Sequence, residues 1–138
     1  MNTYYLARHG QTVWNTLGQT QGHGNSPLTE LGELQAKDLA EAMKEHKIDM
    51  IFSSDLGRAV QTAEIIGKEI GVEVEQTENL REMGFGVWEG RKLSDVQIEY
   101  KEVFETWRND PLNVDMEGGE TLFDVEKRVK KLIEDLNQ

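Results

Sequence analysis

Residues 6–15, LARHGQTVWN, place an arginine, a histidine and a glycine directly behind a short apolar run. The aromatic and apolar content of residues 3–8 (TYYLAR), ahead of a glycine, predicts a strand. In parallel α/β sheets, ligands gather outside the carboxyl ends of the strands, which is where this reading puts Arg8, His9 and Gly10.

The rest of the chain supports that sheet type. Residues 10–28 carry Gly10, Gly18, Gly22, Gly24 and Pro27 and read mainly as loop, with one helical turn around Trp14. From Thr29, Ala36, Leu39, Ala40 and Met43 share a helical face as far as His46. Residues 49–55 (DMIFSSD) are too short for a helix and predict a strand buried on both faces. A second helix spans Gly57 to Gly71, with Ala59, Ala63, Ile66 and Ile70 on one stripe. Residues 72–76 (VEVEQ) alternate like an edge strand, and the glycine-rich residues 81–90 (REMGFGVWEG) form a structured loop. Ser94 with Gln97 predicts a capping box opening a helix toward Trp107, ended by Asn109 to Pro111. From Thr121, the apolar positions Leu122, Val125, Val129, Leu132, Ile133 and Leu136 define the most regular amphipathic helix. Strands alternating with helices argue an α/β fold with a mostly parallel sheet.

Composition narrows the function. At 138 residues the chain is the size of one domain, with 37% hydrophobic and 30% charged residues and no apolar run long enough to span a bilayer. The first ten residues lack a secretory pattern, so a cytoplasmic protein is expected. There is no cysteine, which excludes thiol nucleophiles, disulfides and thiolate metal sites. A net charge of -11 opposes binding to nucleic acid or anionic membranes, so an anionic ligand needs a local arginine cluster. His9, His23 and His46 lack zinc-ligand spacing, and neither a metal nor another cofactor is expected. Trp14, Trp88 and Trp107 read as packing residues, because no basic stripe accompanies them.

The second strand ends close to Arg58. Two guanidinium groups converging on one pocket suit a phosphate, since each planar fork binds two oxygens and keeps its charge. Gly10 would admit backbone N–H groups to the same anion, and Thr12 and Asn15 would add neutral donors. Positive charge on both sides disfavours the imidazolium of His9, leaving a neutral nucleophile if its other nitrogen donates to a backbone carbonyl. The arginines would stabilise charge on the equatorial oxygens of the transition states. Glu82, in the glycine-flanked loop beside Trp88, is the candidate proton donor to the leaving oxygen, ahead of Glu89.

LARHGQTVWN, QGHGNSPLTELGELQA, SSDLGRAVQTAEII, LREMGFGVWEG and EGGET, in this order, resemble the histidine phosphatase superfamily in its phosphoglycerate mutase-like branch. The resemblance implies a three-layer fold with helices on both faces of the sheet. It also implies His9 as the phosphorylated nucleophile, Arg8 and Arg58 as phosphate ligands, Glu82 as proton donor, and Asn15, Gln21 and Gly22 as pocket or rim positions. Within the family, REMGFGVWEG is similar to the form in broad-specificity and alpha-ribazole phosphatases rather than the mutases. The expected ligands are a small phosphomonoester or inorganic phosphate, with neither nucleic acid nor membrane as partner.

Members of the family also carry a second histidine, in an S-H-G-like turn after a strand beyond the last helix read here. That strand lies inside the family's sheet beside the one bearing the first histidine, and residues 1–138 contain no counterpart. The expectation is therefore an N-terminal part of a longer enzyme, in which dimerisation, exchange of elements or altered packing covers the gap. His23 is expected at the pocket rim, while His46 suits a helix C-terminus. Two rivals to a phosphatase remain: a catalytically silent phosphate-binding or interaction fragment, and a phosphoglycerate mutase.

Overall fold

Thr29 opens the first long helix by accepting the N–H of Gly32 on its hydroxyl, in the place where an N-cap satisfies an orphan donor. The computed structural model describes residues Met1–Gln138. Helix α1 is the short turn Val13–Leu17, and α2 is Glu30–Met43. Strand β1 (Ile51–Ser54) leads through α3 (Gly57–Ile70) to strand β2 (Val74–Thr77). Then come α4 (Leu93–Glu99), α5 (Lys101–Asn109) and α6 (Leu122–Leu136), with short 3-10 turns at Glu78–Leu80, Gly86–Trp88 and Pro111–Asn113.

β1 and β2 pair in parallel, with Ile51 opposite Val74 and Ser54 opposite Thr77, so α3 is the crossover of a βαβ unit. Its last turn stops at Gly71, which takes φ +73°, a left-handed conformation natural to glycine. α2 and α3 pack together, and Ala36 and Ala40 of α2 and Ala63 and Ile66 of α3 are buried. A second cluster holds Met83, Trp88, Val96, Phe104, Val114 and Met116, with Leu122 and Val125 of α6 against it. The glycine-rich loop therefore supplies core: Trp88 is 1% exposed, and its ring lies parallel to Phe85 and tilted against Phe104.

The α/β class with a parallel sheet is as the sequence predicts, while several elements differ. Residues 3–8 form no strand. All are exposed, Leu6 at 95%, and none of residues 1–9 makes a backbone–backbone hydrogen bond. Side chains alone hold the segment: Tyr4 Oη donates to Asn137 Oδ1 at 2.8 Å, and Tyr5 Oη lies 3.1 Å from His46 Nδ1. Aromatic and apolar content makes a segment willing to pair but supplies no partner. The sheet accordingly has two strands, and β1 is buried only at Ser53 and Ser54, because β2 covers one edge alone. The predicted box at Ser94 and Gln97 is absent. The helix starts at Leu93 with no side-chain cap, and it breaks at Tyr100 into α4 and α5. No helix is long and apolar enough to cross a membrane.

Candidate active site

His9 is half-buried at the end of the extended N-terminal segment, with Nδ1 2.7 Å from the carbonyl oxygen of Gly10. A carbonyl can only accept, so Nδ1 carries the hydrogen and Nε2 keeps its lone pair. Burial is the main cause holding the imidazole below its ordinary 6.5. The bond to Gly10 opposes it, the Arg58 and Arg8 charges add to it, and Glu82 works the other way. The flanking arginines, expected from the sequence to keep the ring neutral, contribute less than desolvation does.

Gly10 serves packing. A Cβ there would lie 2.3 Å from the carbonyl oxygen of Gly32, so the segment crosses the first turn of α2 only because both residues lack side chains. The Gly10 N–H donates to Thr62 Oγ1 at 3.1 Å and is committed there rather than offered to an anion. Thr12, fully buried, caps α1 by accepting the Asn15 N–H, and its hydroxyl donates to Gln21 Oε1 at 3.1 Å. Ser26 Oγ donates to the same Gln21 oxygen at 3.0 Å. Thr12 and Gln21 are thus internal braces between the His9 loop and residues 21–26.

Arg58 stands in the first turn of α3, 2% exposed. Its Nη2 donates to Gly22 O at 2.7 Å and its Nη1 to Gly24 O at 2.6 Å, while its backbone N–H donates to Asn25 Oδ1 at 2.9 Å. Burial lowers its pKa, and the Glu82 and Glu89 carboxylates oppose that. Arg8 is exposed and lines a cavity of about 430 Å³ with His9, Gly10, Gln11, Asn15 and Gln35. Arg58 and Glu82 lie outside that lining, although both act electrostatically on His9.

Glu82 is exposed, and its Oε1 accepts the Met83 N–H at 2.9 Å. Glu89 is a brace: its Oε1 accepts the N–H groups of His23 at 2.7 Å and Phe85 at 3.0 Å. His23 presents Nε2 to the Glu82 carbonyl at 3.0 Å and to Glu120 Oε1 at 3.1 Å. It therefore ties the Arg58 anchor, made by its neighbours Gly22 and Gly24, to the loop bearing Glu82. Gln11, Gln35 and Thr62 also stand around His9; all three lie inside the quoted motifs, but as uncharged residues they do not stand out there. Sequence reasoning missed Glu120 and Arg128 too, although EGGET includes the glutamate. No group of three His, Asp or Glu side chains is placed to hold a metal ion.

A putative phosphoserine phosphatase of Hydrogenobacter thermophilus is 38% identical over 136 residues, covering 99% of this chain and 67% of its own length. A probable phosphoglycerate mutase of Escherichia coli is 40% identical, covering 94% of this chain and 60% of its own. The structure of a mycobacterial glucosyl-3-phosphoglycerate phosphatase in complex with VO3 superposes with a TM-score of 0.87 at 34% identity, covering 93% of this chain and 61% of that one. This chain thus spans between 60% and 67% of the length of these relatives. The family description "Histidine phosphatase superfamily (branch 1)" matches residues 4–138. With the match running from the segment before Arg8-His9-Gly10 through the last helix, the chain belongs to the histidine phosphatase superfamily.

Proposed function

We propose that the chain is the nucleophile-bearing part of a cytoplasmic phosphomonoesterase that works through a phosphohistidine without a metal. The observation that carries this reading is the His9 tautomer: Nδ1 donates to Gly10 O, burial disfavours the cation, and Nε2 is left as a neutral nucleophile. Attack by Nε2 on phosphorus forms the N–P bond as the P–O bond to the alcohol breaks, and Glu82 delivers a proton to the departing oxygen. Water then attacks the phosphohistidine, Glu82 takes its proton, and the N–P bond breaks to release phosphate. Arg8 and Arg58 offset charge on the equatorial oxygens in both steps. Asn15, on the cavity wall, would position the anion, while Thr12, Gln21, Gly10 and Gly22 support the groups that touch it.

The phosphatase relatives and the mycobacterial enzyme's complexes with VO3 and inorganic phosphate support a phosphomonoester as the ligand class. A silent phosphate-binding fragment is the second reading, favoured by a cavity that omits Arg58 and Glu82. An assay with para-nitrophenyl phosphate in the presence of a chelator decides between them. Turnover abolished by His9→Ala supports the enzyme. Phosphate binding without turnover supports the fragment, and turnover that survives His9→Ala refutes the nucleophile. Isomerisation of phosphoglycerate in the same preparation would instead reveal a mutase.

A further inference from the structure

The last helix reaches the Glu82 loop through one side chain. A guanidinium has five N–H donors, and each of those on Arg128 has an acceptor. Nε donates to Glu120 Oε2 at 3.0 Å, and Nη2 to Glu120 Oε1 at 2.7 Å and Glu82 O at 3.4 Å. Nη1 donates to Arg81 O at 2.9 Å and Asn79 O at 3.2 Å. Glu120 turns to the same loop, accepting the Gly84 N–H on Oε1 at 2.8 Å and donating its own N–H to Gly84 O at 2.8 Å. Burial alone would raise the Glu120 pKa, yet Arg128, the Gly84 N–H and His23 together hold it below its ordinary value.

These contacts grip the main chain on both sides of Glu82 and leave its carboxylate alone. Residues 81–85 belong to no helix or strand, so their polar groups have no ladder to satisfy them. The bidentate pair substitutes for one. We propose that Arg128 and Glu120 are positioning residues for Glu82, fixing residues 79–84 so that its carboxyl group stays within proton-transfer reach of the leaving oxygen. This rests on the phosphomonoesterase reading.

A positioned acid matters in proportion to how badly the leaving oxygen needs a proton. An alkoxide needs one, whereas a dinitrophenolate leaves without it. The test compares the full chain with Arg128→Met, Arg128→Lys and Glu120→Gln on an alkyl phosphate and on dinitrophenyl phosphate. The expected result for Arg128→Met is a loss of about 10- to 100-fold in kcat on the alkyl ester, with KM little changed, and under about threefold on the aryl ester. Lysine keeps the charge without the fork, so Arg128→Lys should resemble Arg128→Met. Glu120→Gln should show the same selectivity. Amide exchange at Gly84 should also quicken in all three variants, a readout independent of turnover. Equal losses on the two esters, or unchanged exchange at Gly84, would overturn the proposal. If the unaltered chain hydrolyses neither ester, the phosphomonoesterase reading falls by itself, and unchanged exchange then refutes the tie while faster exchange upholds it.

Discussion

At position 9, one short hydrogen bond decides which imidazole nitrogen keeps its lone pair, and burial is the main cause that disfavours the cation. A histidine whose folded pKa lies below its unfolded value binds fewer protons in the folded state between the two values. Its contribution to stability is therefore level above pH 6.5 and declines as pH falls through 6.5 toward the lower folded value. A titration of the His9 ring protons by NMR should give a midpoint below 6.5. Because burial outweighs the arginines, Arg8→Met should raise that midpoint while leaving it below 6.5, and a full return to 6.5 would restore the arginines to first place. Arg58 calls for a different measurement. Arg58→Met strands the carbonyls of Gly22 and Gly24, which accept at 2.7 and 2.6 Å. A loss of about 2–4 kcal/mol in urea unfolding is the expected outcome.

Among the elements, the crossing of the His9 segment over α2 shows how context reverses a rule. Glycine inside a helix is ordinarily about 0.5–1 kcal/mol worse than alanine, so Gly32→Ala ought to stabilise α2. Here the added Cβ would lie 2.1 Å from the carbonyl oxygen of Gln11, which is backbone and cannot swing aside. The expected result is destabilisation by about 1–3 kcal/mol, measured as a lowered urea midpoint. Trp88→Ala should cost about 3–5 kcal/mol by emptying the center of the second cluster. Helix starts were legible where the cap is a local fact. Thr29 and Thr121 both accept the N–H three residues on. Ser94 has the same composition cue, but the chain turns helical at Leu93 and leaves no capping geometry for it.

Across the whole molecule, candidate site residues could be named from the sequence, while their contacts could not. Arg8, His9, Arg58 and Glu82 could be singled out as candidates because charged residues beside glycines, in this order along the chain, stand out from a core pattern. That Gly10, Thr12 and Gln21 act as braces depends on partners more than 5 residues away in several cases, such as Thr62 for Gly10, and no local rule supplies them. The N-terminal strand failed for a related reason. Helix formation is settled within a few residues, whereas a strand exists only in relation to a neighbour. β1 finds β2 within this chain, and residues 3–8 find none. That difference predicts two exchange regimes in one chain. Backbone amides of residues 3–8, exposed and unbonded, should exchange at close to their free-peptide rates, while amides of β1 bonded to β2 should be slower by about two orders of magnitude or more. Hydrogen exchange followed by NMR or mass spectrometry would show it. Protection spread evenly over residues 3–8 would mean that the segment is paired in solution.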